Sequence, residues 1–424
     1  MRKVKLLSLA FALVIFLTSC SITNIDSDKL LTPPQMNAAN QQILKCISSE
    51  IGSSYDPIYP QSGNYQNAIV SIDLTGDGSN ESVCFYEKDK TIGVIILQQT
   101  DGKWQIKGKA ESQATAIERI DFADLTDDNV LEVIIGWKYM SGEELALEIF
   151  KFSDQKTMTS EYTSIYNNFV VFDDSVVVIS RNTTGKTASA ALISNGTTGI
   201  GILNTVALNT AITGFISVQS EINKKNKAIY IDEQLDSLMY ATEVLIINDK
   251  NELSVTSAAL SNQTMRTRAY ICTDIDDDGS LDIPVERKLP EYERGGVTEN
   301  LVYVDWHAYI GGNLEYIKSA YTSANEQFFI ELPSQWIGKI TVQRDNEIER
   351  AVHFYKLNEN DIIPMFSIRV FSQQEFSENL QSLGWIALET VNENVYTFKA
   401  DKSGLDEVFD VTEQEITEIF HLIS

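Results

Sequence analysis

The sequence predicts a mainly β protein: a β-propeller-like repeat domain of five to seven blades, followed by a small α+β domain. Three observations lead there. Acidic nonapeptides recur on a period of about fifty residues. Short apolar runs of β type flank them, as in the strands of small repeated sheets. From about residue 325 the texture changes to strands mixed with two helical stretches. A chain of 424 residues also exceeds one ordinary core, so two domains or a repeat array are required.

In chain order, the first element is an address. Arg2, Lys3 and Lys5 precede an apolar run from Leu6 to Leu17, which ends in Leu17-Thr18-Ser19-Cys20. A basic start, a short apolar stretch and small residues together read as a secretory signal. The run is shorter than the roughly 20 residues a permanent span needs. The segment resembles the lipobox of bacterial lipoproteins, which implies that Cys20 becomes the acylated first residue of the mature chain. The alternative is an ordinary cleaved signal with an incidental cysteine. Residues 1–20 are then signal, and 21–64 a polar tether with Pro33-Pro34 and one short helix. Apolar residues Ile43, Leu44, Cys46, Ile47 and Ile51 set that helix within Gln41 to Ile51 by their spacing.

Net charge is −27, and loss of the three basic residues before Cys20 takes it to −30. A nucleic-acid partner calls for basic patches, so none is expected. Repulsion from anionic headgroups leaves the lipid anchor to hold the protein at the extracytoplasmic face of the cell membrane. Cys46, Cys84 and Cys272 remain in the mature chain. Three cysteines do not pair completely, so buried apolar roles are favoured, with a Cys84–Cys272 bridge as the alternative.

The repeat domain is assigned to residues 65–322. Its loops read Asp73-Leu-Thr75-Gly-Asp77-Gly-Ser-Asn-Glu81, Asp124-Leu-Thr126-Asp-Asp128-Asn-Val-Leu-Glu132 and Asp274-Ile-Asp276-Asp-Asp278-Gly-Ser-Leu-Asp282. Carboxylates fall at positions 1, 5 and 9 of each. Asp73 and Asp124 are 51 residues apart, and Asp124 and Asp274 are 150 apart, or three steps of 50. The two intermediate steps land at Asp173-Asp174 and at Asn223-Lys224-Lys225, so three units are intact and two degenerate. Ala269 to Cys272 is expected as a strand before the last loop, and Pro284 as an interruption after it. A solenoid or sandwich of repeats is the other arrangement open to such units.

Oxygen ligands on alternate residues of a tight loop suit calcium, which takes six to eight of them. Asp73, Thr75, Asp77 and Glu81 form the first candidate set; Asp124, Thr126, Asp128 and Glu132 the second; Asp274, Asp276, Asp278 and Asp282 the third and fullest. An EF-hand needs a bidentate acid at position 12, where these loops carry Cys84, Ile135 and Val285. The motif D-x-D-x-D-G-x-x-D between strands resembles the FG-GAP/VCBS repeats of integrin-like propellers. With Thr32-Pro33-Pro34 and Tyr59-Pro60, the chain also resembles clostridial-type lipoproteins of unassigned activity. Calcium is expected to stiffen the blades rather than to perform chemistry.

Residues 325–424 are assigned to the α+β domain. Strands are expected at Phe328 to Leu332, Lys339 to Arg344, Arg350 to Tyr355, Phe366 to Phe371, Trp385 to Thr390 and Val395 to Lys399, with helices at Gln373 to Leu380 and Thr412 to Leu422. No zinc helix, nucleophile elbow or phosphate loop is present in the sequence. His307, His353 and His421 are scattered, and Trp104, Trp137, Trp306, Trp336 and Trp385 are expected to pack. The expectation is therefore a non-enzymatic, surface-anchored binding or adhesion module for an extracellular protein or carbohydrate. An envelope structural or assembly factor acting through the C-terminal domain is the alternative, and an extracellular glycan hydrolase the remote one.

Overall fold

The computed structural model describes residues 38–423 apart from 140–144, 153–155, 183, 185, 224–225, 237–238, 291–300, 346–348, 359–360, 377–382, 402–404 and 406–407. Cys20 and the whole address lie outside these residues. The chain is mainly β and propeller-like; its described residues form a series of six antiparallel sheets of four or five strands. Sheets 2, 3 and 4 are four-stranded meanders in chain order; they span 116–166, 168–207 and 214–255. Sheet 1 spans 56–112, and within it the short strand Asp56–Pro57 pairs with Glu81–Lys88.

Packing runs in sequence from one sheet to the next. In sheet 1, Val83, Phe85, Val94 and Ile96 meet sheet 2, while Cys84, Tyr86, Ile95 and Leu97 lie on the opposite face. That second face is covered by helix α1 (Ala38–Ile51), which buries Ile43, Ile47 and Ile51 against it. In sheet 2, Val133 and Ile135 point back to sheet 1, and Ile134, Leu147 and Ile149 forward to sheet 3. Ile179 and Leu192 of sheet 3 join Ile229 and Leu245 of sheet 4, whose Tyr230 and Val244 meet Ile283 of sheet 5. Side chains alternate across a strand. Blades buried on both faces therefore read as unbroken apolar runs, such as Val176-Val177-Val178-Ile179, all at most 2% exposed.

Sheet 5 departs from expectation in three places. Ala269 to Cys272 form no strand; the first strand shrinks to a single bridge, Thr273 to Asp282. Side chains of sheet 4 take the Cys272 backbone instead: its N–H donates to Asp232 Oδ2 at 2.8 Å, and its carbonyl accepts from Gln219 Nε2 at 2.8 Å. Pro284 does not interrupt Asp282–Lys288. The Asp282 N–H donates to Thr273, and alternate residues face the same edge. The donor missing at Pro284 therefore falls where no strand continues. Finally, Phe328–Glu331, expected to open the C-terminal domain, is the fourth strand of sheet 5.

The C-terminal sheet is sheet 6, in spatial order Ile340–Arg344, Ala351–Asn358, Asp361–Ser372, Asn394–Ala400, Ile386–Val391. It shares one core with sheet 5: Tyr321 meets Phe354 edge-on at 5.4 Å, and Phe354 stacks on Phe366 at 4.4 Å. Of the helix expected at Gln373 to Leu380, residues 373–375 form a turn and 377–380 lie outside the described residues. The last helix, Glu413–Ile419, starts with a capping box in which Thr412 and Glu415 exchange side-chain and backbone bonds. It stops short of the expected Leu422, because Phe420–Leu422 pairs with Phe328–Ile330 at the edge of sheet 5. His421 is thus on a strand. Among the described residues Cys46, Cys84 and Cys272 are free, with Cys84 and Cys272 buried in separate cores.

Candidate metal loops

Residues 73–81, 124–132 and 274–282 (loops 1, 2 and 3) lead from Ile69–Ile72 to Glu81–Lys88 in sheet 1, from Ala116–Ala123 to Glu132–Lys138 in sheet 2, and from the bridge residue Thr273 to Asp282–Lys288 in sheet 5. The same connection in sheet 3 is the turn Asp173-Asp174, and in sheet 4 it crosses 224–225, outside the described residues. The fifty-residue period is therefore the length of one blade, and the acidic set marks one fixed corner of it.

All three loops use one local scaffold. The position-1 carboxylate accepts the N–H of position 6: Asp73 from Gly78 at 2.8 Å, Asp124 from Asn129 at 2.8 Å, Asp274 from Gly279 at 2.9 Å. The position-5 carboxylate accepts from position 7: Asp77 from Ser79, Asp128 from Val130, Asp278 from Ser280. The position-9 acid accepts from position 2: Glu81 from Leu74 at 2.9 Å, Glu132 from Leu125 at 2.7 Å, Asp282 from Ile275 at 3.2 Å. Positions 4 and 6 are left-handed in each loop, at Gly76 and Gly78, Asp127 and Asn129, Asp277 and Gly279. Gly, Asp and Asn tolerate that conformation best, so Asn129 holds the turn that glycine holds elsewhere.

The loops differ in the oxygens left over. In loop 1, Asp73 Oδ1, Thr75 Oγ1 and Glu81 Oε1 are buried without a hydrogen-bond partner among the described residues. An unpartnered buried polar atom costs about 1–3 kcal/mol. Three of them at positions 1, 3 and 9 fit an oxygen-seeking cation of calcium type. Burial raises the Glu81 carboxyl above its usual range, opposed by the Leu74 N–H and Gln98. In loop 3, oxygens of Asp274, Asp276 and Asp282 lie within 4.8 Å of one another. Asp282, 2% exposed, is pushed up to about 6, first by burial and further by Asp276, Asp278 and Asp274 against the pull of the Ile275 N–H. Carboxylates held that close repel unless a cation stands between them.

Loop 2 carries its own cation. Lys151 Nζ, at the end of the third strand of sheet 2, lies 2.9 Å from Asp128 Oδ2 and 3.5 Å from Thr126 Oγ1. Thr126 Oγ1 in turn donates to Glu132 Oε1 at 3.1 Å. Positions 3, 5 and 9 thus have partners in loop 2. Burial alone would raise Asp128, but the Lys151 ammonium outweighs it and holds that carboxyl below its ordinary range. The degenerate turn in sheet 3 uses the same device, with Lys227 of sheet 4 pairing with Asp174. Neither lysine was identified as a site residue from sequence, since each arrives from another strand.

The corners also touch along the row. Leu131 N donates to Leu74 O at 2.8 Å, joining loop 2 to loop 1, and Asp124 N donates to Asp173 O at 2.9 Å. A Cβ on Gly76 would stand 2.6 Å from Asn129 O, so no side chain fits there. Loop 3 is tied to sheet 4 through Leu281 N and Glu221 Oε2 at 2.8 Å.

These features define a class of molecule: a mainly β, propeller-like repeat protein with acidic inter-strand corners, some paired with lysine and one with buried oxygens left unpartnered among the described residues. No protein-family model matches the chain, and no curated protein does. Among solved structures, an exo-β-1,3-galactanase from Phanerochaete chrysosporium is similar at 6% identity and TM-score 0.28, over 74% of this chain and 79% of that one. The β-propeller domain of the Trilobed protease from Pyrococcus furiosus is similar at 8% identity and TM-score 0.28, over 72% and 90%. A GH43 β-1,3-galactosidase is similar at 9% identity and TM-score 0.25, over 80% and 93%. Likeness this low bears on neither substrate nor activity, and the fold rests on the strand pairing.

Proposed function

We propose that the protein is a non-enzymatic binding module, held to the extracytoplasmic face of the cell membrane through a lipid on Cys20, whose blades are stiffened by calcium in loops 1 and 3. Its partner is an extracellular protein or carbohydrate. The observation that carries the metal part of this reading is the contrast among three loops of one scaffold: loop 2 satisfies its oxygens with Lys151, whereas loop 1 leaves three buried and unpartnered. A cation in loops 1 and 3 would tie together the two chain segments that each loop joins, and the contacts between corners would pass that rigidity along the row.

Calorimetric titration of the soluble chain from residue 21 onward tests the metal. Two calcium ions per chain are expected, each stabilising the fold by about 2.7 kcal/mol at a concentration a hundredfold above its dissociation constant. Asp278→Ala should leave one ion, and Lys151→Met should admit a third. No binding heat and no rise in melting temperature would refute the reading. The anchor is tested by fractionation: Cys20→Ala should move the protein from the membrane to the soluble fraction, and continued retention would sink the lipid assignment.

A further inference from the structure

The groove that residues 268–277 form with the strands of sheet 5 has features that calcium stiffening does not use. It consists of two adjoining cavities that share Ala269, Tyr270, Thr322 and Ala324. The larger, about 700 Å³, is walled by Tyr270, Trp306, Phe329 and Phe420, with Asp274, Asp276, Asp277, Glu389, Lys318 and His421 at its polar side, so any ligand anion must sit at the arginine end. That size falls within the ordinary range of small-ligand sites, roughly 300–1,000 Å³. The smaller, about 280 Å³, is lined by Arg268, Arg344, Asn325 and Thr322. Two guanidinium groups at one cavity stand out in a chain of net charge −27.

Residues that line the groove also carry buried polar atoms. Trp306 Nε1, Thr322 Oγ1 and His421 Nε2 have no hydrogen-bond partner among the described residues. Trp306 is 3% exposed and Thr322 is 7% exposed. An indole N–H only donates, and a hydroxyl donates or accepts, so a ligand rich in hydroxyl and carboxylate oxygens suits them. Aromatic walls with interspersed donors and acceptors match the alternating CH faces and hydroxyls of a sugar ring. The planar fork of arginine matches a carboxylate in particular.

We propose that this groove binds an acidic saccharide, with its uronate carboxylate on Arg268 and Arg344 and its ring in the larger cavity beside Trp306 and Tyr270. The assignment rests on the reading of the protein as an extracellular binding module, and names the ligand class that module takes. A ligand bound there would span sheets 5 and 6, since Arg344 belongs to the first strand of sheet 6 and Trp306 to sheet 5.

Isothermal titration with a tetramer of galacturonic acid and with its fully methyl-esterified form, both in calcium-free buffer with chelator, tests the assignment. The acid should bind about tenfold to a hundredfold tighter than the ester, the scale of a charge-assisted contact. Arg344→Gln should bring the acid close to the affinity of the ester with the melting temperature unchanged, and Arg268→Gln should likewise remove the preference for acid over ester. Thr322→Val should weaken both forms alike. Equal binding of acid and ester, no binding of either, or full affinity in both arginine variants would overturn the proposal. So would an aspartate-rich peptide that bound the site while the saccharide did not. The calcium count is read in a separate titration, so a groove that ignores the saccharide while two ions bind rejects this ligand and leaves the metal reading standing.

Discussion

Replacing Arg266 by leucine is expected to destabilise the protein by about 3–5 kcal/mol, the usual cost of removing one partner of a buried ion pair. Arg266 is 1% exposed, and its five donors are all used. Nη2 donates to Asp232 Oδ1 at 2.8 Å and to Tyr270 O; Nη1 donates to Thr242 Oγ1 and Thr264 O; Nε donates to Tyr270 O. Without the guanidinium, the Asp232 carboxylate would keep only Thr242, Cys272 N and the weak Cys272 thiol donor in a nearly dry site. The same network fixes Tyr270 and Cys272, which lead into loop 3. Urea unfolding should therefore show the loss of stability, and calcium titration should show the loop 3 ion lost while the loop 1 ion remains. Unchanged unfolding, or both ions retained at full affinity, would contradict this account.

The second large effect concerns pH. Glu233 pairs with Ala241 across sheet 4, which sets it diagonal to Glu243 on one face. Burial first, and then the Glu243 carboxylate, push Glu233 up to about 8, against the pull of the Asn209 side chain. Because the folded protein holds a proton that the unfolded chain releases near 4.5, stability should fall as pH rises between these values and level off above about 8. The loss is on the order of a few kcal/mol for this group. Glu233→Gln keeps the neutral form, an acceptor for Asn209 and a donor toward Glu243. It should be close to wild type at pH below the unfolded value and clearly more stable at alkaline pH. Parallel stability profiles for the two proteins would dismiss the shared-proton account.

Much of the candidate site was legible because its bonds are local. Each acid at positions 1, 5 and 9 serves an amide two to seven residues away. A nonapeptide therefore carries its own scaffold, and its recurrence marks the blades. The helix at Ala38–Ile51 was equally readable, since its apolar residues keep helical spacing whatever they pack against. The expected strand at Ala269 to Cys272 had the right composition, yet Asp232 and Gln219 of another sheet claimed the Cys272 backbone. At the C-terminus, apolar periodicity supported a helix to Leu422, but an open edge at Phe328–Ile330 drew the last residues into a strand.

What the sequence determined by itself is the β class, the fifty-residue unit and the shape of each acidic corner, because these depend on alternation and on contacts inside nine residues. What the tertiary structure decided is which corners have a lysine beside their carboxylates. Lys151 reaches Asp128 across 23 residues, and Lys227 reaches Asp174 across 53. The groove is likewise assembled from 268–277, 306–329, 344 and 420–423. Charge neutralisation and cavities are set by whatever side chain arrives from another strand, and periodicity along a chain carries no record of which one that is.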